Sequence, residues 1–145
     1  MNGENVEDEI RRMEVSQSVS IISRYRFVRD KMVEKQRAFG QTDSLVMDGR
    51  DIGTVVFPQA NVKIFMTASL EVRARRRYDE LIDKGVEVNF EEVKKNVQER
   101  DHIDANRKES PLRQAEDAVV IDNSQLTREA QLEHALDIIR GRVGV

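Results

Sequence analysis

The sequence predicts an α/β fold, a mainly parallel sheet flanked by helices, on three observations. Leu45–Met47, Val62–Met66 and Ala118–Ile121 are short, near-continuous apolar runs, as strands buried on both faces should be. Helical patterns stand among these runs, and strands alternating with helices favour parallel pairing. The first run feeds directly into Asp48-Gly-Arg-Asp51-Ile-Gly53-Thr-Val-Val-Phe-Pro58. Ligands of open α/β sheets bind beyond the carboxyl ends of parallel strands, so two carboxylates, an arginine and two glycines placed there read as a site. The plainer alternative is a loop whose Asp and Gly satisfy their own turn geometry.

Each helix has a local signature. Tyr25, Val28, Met32, Gln36 and Phe39 recur at helical spacing, and Gly40 supplies a stop. The polar segment Gln41-Thr42-Asp43 then divides a helical part, residues 1–43, from an α/β part, residues 44–145. Two helices separate the second and third strands. One opens at Ser69 as N-cap and stops near Gly85. The other opens at Asn89, with Glu92 three residues on in a capping-box arrangement, and runs to about Lys108. A last helix opens at Thr127 and carries Leu132, Leu136 and Ile139 on one face.

Composition narrows the function classes. A chain of 145 residues is one domain's worth, and 35% charged with 5% aromatic residues makes its core thin. A net charge of -3 gives no global basic field for nucleic acid, so no nucleic-acid partner is expected. The absence of cysteine excludes disulfides and thiolate metal sites, and His102 and His134 are far apart, so no metal site is expected either. There is no 18-residue apolar run, and Met1 to Asp8 is acidic rather than signal-like. The expectation is a cytoplasmic protein without membrane contact.

Two clusters could carry chemistry. Val93, Val97, Arg100, Asp104 and Arg107 are spaced by four, three, four and three, which puts all five on one helix face. A stripe that starts apolar and turns charged points into a polar cavity or past the edge of the fold. In the second case it is a salt-bridged helix end, with Asp104 pairing with both arginines. In the first it is an anion clamp, with two guanidiniums offering bidentate donors to phosphate oxygens. Arg73-Ala-Arg-Arg-Arg77 is either a solvated basic face offset by Glu71, Asp79 and Glu80, or concentrated charge for a polyphosphate. Few aromatics accompany it, which disfavours a base-stacking platform.

The order of these motifs resembles bacterial cytidylate kinase. Gly49-Arg-Asp-Ile-Gly-Thr-Val-Val-Phe-Pro58 carries the likeness, followed by Lys63-Ile-Phe65, Arg76-Arg77, Val88-Asn-Phe90, Glu99-Arg-Asp101 and Asn106-Arg107. Asn2-Gly-Glu4, Glu9-Ile-Arg11 and Gln36-Arg-Ala-Phe39 fit the same family. The resemblance implies a P-loop nucleoside monophosphate kinase fold. It implies that Ser20, Arg29 and Asp51 read the cytosine base, and that Arg50, Arg100 and Arg107 hold the substrate phosphate and its transferring neighbour. Asp104 would partner the ribose hydroxyls, and Arg76 and Arg77 would be lid arginines closing over ATP. The implied substrates are CMP or dCMP with ATP as donor and Mg²⁺ in the intact enzyme, itself expected to be monomeric. Ile103 and Ala105 depart from the charged residues often found beside the aspartate.

The larger departure is that no G-x-x-x-x-G-K-[ST] loop occurs in the 145 residues. The chain is therefore expected to be the C-terminal part of such a kinase, inactive alone and binding no donor, with open strand edges that invite self-association. Two rivals stand beside that reading. One is a non-catalytic nucleotide-binding or interaction module. The other is a helical nucleic-acid module built on Arg73–Arg77.

Overall fold

The computed structural model describes residues 3–41 and 44–144, apart from the side chains of Met13, Ser16, Gln17 and Ser20. A 3-10 turn (Glu9–Arg11) leads into α1 (Met13–Ile22) and α2 (Arg26–Phe39). A π-helical turn (Ile52–Val56) and β1 (Ile64–Thr67) follow, then α3 (Leu70–Asp83), α4 (Phe90–Asn106), β2 (Val119–Asp122) and α5 (Arg128–Val143). Thr42 and Asp43 of the expected boundary lie outside the described residues.

Capping chemistry sets the helix starts. The first orphan amides of a helix need acceptors. The Ser69 hydroxyl accepts from Val72 N–H, the Asn89 side chain from Glu91 N–H and the Thr127 hydroxyl from Ala130 N–H. Asn89 thus caps the second amide of α4. Gly85 closes α3 in left-handed backbone at φ 73°, where its N–H donates to Ile82 C=O (2.8 Å) and Val86 N–H to Leu81 C=O (3.0 Å). A side chain at that φ would be strained, which is why the stop falls on glycine.

β1 and β2 pair in parallel, with Ile64 opposite Val119 and Met66 opposite Ile121, and α3 and α4 form the crossover between them. The helices pack through Ala74, Leu81 and Val93, all buried, and through an edge-on contact of Tyr78 with Phe90 at 5.8 Å. The buried apolar set is small, and Phe27, Phe39 and Leu132 are exposed, consistent with a thin core.

Two expectations need correction. Leu45–Met47 forms no strand: residues 44–48 are irregular, and Val46 is 97% exposed. A strand exists through its ladder partner, and among the described residues none lies beside this run. Nor are the two observed strands buried on both faces. Ile121 is buried, but Val120 and Met66 are exposed.

The π turn sits where α2 can hold it. Arg37 donates from Nε to Val56 C=O (3.0 Å) and from Nη2 to Val55 C=O (2.7 Å), so the guanidinium caps the turn's last carbonyls. Gly40 lies so close to Phe57 that a Cβ there would come within 2.8 Å of the ring.

Candidate functional site

The π turn presents Asp51. Its carbonyl accepts from both Val55 N–H (2.9 Å) and Val56 N–H (3.2 Å), and Ile52 C=O accepts from Phe57 N–H (2.7 Å). Bonds to the fifth residue widen the turn, a geometry frequent at functional sites. The Asp51 carboxylate pairs with Arg29 from the first turn of α2, and the two side chains are only 8% and 13% exposed. Within the glycine-punctuated segment Asp51 and Val56 are buried, whereas Asp48, Gly49, Arg50 and Pro58 are exposed.

Asp104 is the second buried carboxylate. It accepts from Arg50 Nε at 2.8 Å, with Arg107 Nη1 at 3.6 Å and Arg100 Nε at 3.9 Å. The side chains of Asp104 and Arg107 are thus buried rather than solvated, while Asp104 pairs with both arginines, as the helix-end alternative expects, and Arg100 stays 41% exposed. The nearest partner of Asp104 is Arg50, from the other motif. Arg107, 4% exposed, donates from Nε to Ser110 C=O (2.7 Å) and reaches Ser23 Oγ from Nη1 (3.5 Å). The guanidinium therefore ties the end of α1 to the end of α4.

Burial, and next the nearby charge of Arg29, hold the Arg107 guanidinium below its ordinary value, while Asp104 and Asp51 pull the other way. Burial and then Arg50 lower Arg100, with Asp104 opposing and Arg77 adding to the shift. These mutual influences put Arg29, Arg50, Asp51, Arg100, Asp104 and Arg107 in one electrostatic cluster. Two of its donors, Arg29 Nε and Arg107 Nη2, are buried with no hydrogen-bond partner among the described residues. Buried donors are normally satisfied, so these two are open to an acceptor beyond the described residues.

Other predicted residues fall elsewhere. Ser20 lies in α1, and its side chain is outside the described residues. Arg76 reaches the end of β2, bonding Asn123 Oδ1 (2.9 Å) and C=O (2.8 Å). Arg77 bonds Glu80 (2.7 Å) and Arg11 C=O (3.1 Å). Arg73 pairs with Asp101 at 2.6 Å and Arg75 stacks 4.2 Å over Phe90. These arginines are committed to intramolecular partners rather than arrayed as a free basic face.

Sequence reasoning passed over Arg37, Ser23 and Ser110. Arg37 had a signal, because eight residues from Arg29 is close to two helical turns and so nearly one face. A cavity of about 450 Å³ is lined by Gly53, Thr54, Lys63, Ser110 and Asp117 among others, and by none of the six cluster residues. Among the described residues no group of three or more His, Cys, Asp or Glu could hold a metal ion. No helix among them is long and apolar enough to cross a membrane.

A family model described as cytidylate kinase matches residues 1–141. The chain belongs to the cytidylate kinase family. Cytidylate kinases from three organisms illustrate the match. That of Bacteroides fragilis is 58% identical over 133 residues, 92% of this chain and 58% of the relative. That of Flavobacterium johnsoniae is 54% identical over 145 residues, 100% of this chain and 63% of the relative. That of Porphyromonas gingivalis is 58% identical over 128 residues, 88% of this chain and 55% of the relative. The chain spans about three fifths of the length of these curated cytidylate kinases.

Proposed function

We propose that the buried cluster is the acceptor half of a cytidylate kinase site, at which the intact protein moves the γ-phosphoryl group of ATP to CMP or dCMP. The carrying observation is the pair of buried donors, Arg29 Nε and Arg107 Nη2, that have no hydrogen-bond partner among the described residues, in a cluster that contains two carboxylates. An unsatisfied buried donor costs about 1–3 kcal/mol. A nucleoside monophosphate supplies acceptors for both, a base edge at one end and phosphate oxygens at the other.

In this reading Arg29 and Asp51, with Ser20, read the base. Cytosine presents an N4 donor beside N3 and O2 acceptors, which match a carboxylate and a guanidinium. Uracil would turn a carbonyl toward Asp51. Arg50, Arg100 and Arg107 hold the acceptor phosphate and stabilise charge as it passes between nucleotides. Asp104 Oδ1, whose contact with Arg107 is a loose 3.6 Å, has room to accept from a ribose hydroxyl. A CMP phosphate oxygen attacks the γ-phosphorus, the bond to the β–γ bridging oxygen breaks, and CDP and ADP leave. No covalent intermediate forms, and catalysis rests on positioning and charge.

Arg76 and Arg77 would serve as lid residues by exchanging Asn123 and Glu80 for donor phosphates. Residues 1–43 would form the acceptor-binding part and 44–145 the core and lid.

The 145-residue chain contains no phosphate-binding loop motif, so this reading has it binding CMP without turning over. Calorimetry with CMP on the chain and on Arg107→Met, beside a coupled ATP:CMP assay, tests this. Binding lost in the variant and no turnover are expected. CMP binding indifferent to both Arg107→Met and Arg29→Met would overturn the site, and turnover by the chain alone would overturn its dependence on a further segment.

A further inference from the structure

Ser110 is the one non-glycine residue in left-handed backbone among the described residues, at φ 47°. That region is disfavoured for a residue with a Cβ. The following Pro111 makes it more so, because proline pushes its predecessor toward extended backbone. Outliers of this kind persist only where their surroundings over-determine them.

Here the surroundings are two hydrogen bonds that close the segment after α4 back onto its last turn. Arg107 Nε donates to Ser110 C=O at 2.7 Å, and Leu112 N–H donates to Asp104 C=O at 2.7 Å. Both partners on the helix side are cluster residues. The reversal at Ser110 aims one carbonyl at Arg107 and returns the chain so that Leu112 can reach Asp104. Extended backbone at residue 110 would carry Leu112 away from the helix and lose both bonds.

A guanidinium is planar, so fixing its Nε–H on one carbonyl fixes the plane and direction of the whole fork. With Nε held by Ser110, Nη1 lies between Asp104 (3.6 Å) and Ser23 (3.5 Å), and Nη2 is left as the open donor. We propose that Ser110 is a positioning residue whose left-handed backbone, and not its hydroxyl, orients Arg107 for an incoming phosphate oxygen. For its functional meaning this rests on the reading of Arg107 as a phosphate ligand.

The test follows the Arg107 Nε–H resonance by ¹⁵N NMR in the 145-residue chain, with Ser110→Gly, Ser110→Ala and Ser110→Val. Glycine tolerates left-handed backbone, so Ser110→Gly is expected to keep the resonance protected although the hydroxyl is gone. Ser110→Ala keeps the same Cβ and should stay close to the parent, whereas Ser110→Val, with its branched side chain, should exchange about tenfold faster or more. If Ser110→Val does not fold, Ser110→Thr carries the comparison. Loss of protection in Ser110→Gly or Ser110→Ala, or full protection in a folded β-branched variant, would overturn the proposal. Inorganic phosphate should shift the resonance in the parent chain. A protected resonance that phosphate does not move would support the positioning and count against the phosphate role of Arg107 alone.

Discussion

Arg50 and Asp104 are separated by 54 residues, yet Arg50 Nε donates to Asp104 Oδ2 at 2.8 Å. The carboxylate is 5% exposed and the guanidinium 43%. One bond therefore joins the segment before the π turn to α4, and the two partners differ in what their loss would leave behind. Asp104→Ala leaves buried Arg107 beside Arg50 and Arg100 with only the weaker influence of Asp51 as counter-charge, which should cost about 3 kcal/mol. Arg50→Met removes a half-exposed partner and should cost about 1 kcal/mol or less. Urea unfolding of the two variants measures the difference. Equal losses would mean that Asp104 is not the charge centre of the cluster.

Base selectivity is the second expected outcome. Asp51→Ala and Arg29→Ala should each narrow the preference for CMP over UMP, because removing a specific buried partner costs about 1–3 kcal/mol. Calorimetry with both nucleotides checks it, and an unchanged ratio in both variants removes the pair from base reading.

Arg37 should matter although it contacts neither carboxylate. Its two bonds hold the Val55 and Val56 carbonyls at the end of the π turn, while Arg29 holds Asp51 at the start. Arg37→Met should destabilise by about 1–3 kcal/mol and speed amide exchange at Val55, Val56 and Phe57. Arg37→Lys should rescue this only in part, because an ammonium lacks the planar fork that spans two carbonyls. Full rescue by lysine would reduce the contact to charge alone.

Acid should weaken the fold through its surface carboxylates. The Lys63 ammonium lowers Asp117, Arg77 lowers Glu80, Ser124 lowers Asp122, and the backbone N–H at Glu129 lowers Glu129. Each folded value lies below its unfolded one, so the unfolded chain binds more protons as pH falls. Stability is fully present above the ordinary carboxylate range and is lost below about pH 4. Asp117→Asn should flatten that acid limb, and superimposable acid melts of parent and variant would contradict the Lys63 contact.

Self-association is expected of the chain on its own. The 44–48 segment, which pairs with no strand among the described residues and exposes Val46, and the open edges of β1 and β2 offer backbone groups to a second copy. Light scattering should show a mass that rises with concentration, and Val46→Asp should reduce the rise. A concentration-independent monomer would argue against pairing through these edges.

Much of the molecule was legible in the sequence because it is local. Ser69, Asn89 and Thr127 announce helix starts and Gly85 a stop, since a cap needs only the three or four residues beside it. The 93–97–100–104 part of the stripe lies on α4, where helix geometry fixes its face, but the helix ends at Asn106 and Arg107 follows in extended backbone. What the stripe faced was decided by tertiary structure. Asp104 meets Arg50 from another segment, and no local pattern distinguishes that buried charge cluster from a solvated helix end. The same holds for Leu45–Met47, whose apolar run reads as a strand until a ladder partner is required and none stands beside it among the described residues. Ser110 is the sharpest case. Sequence favours extended backbone before a proline, and only the two bonds to Arg107 and Asp104 hold it left-handed. Residue order determined the helices and the chemistry available to the site; long-range packing determined which charges met and which donors were left open.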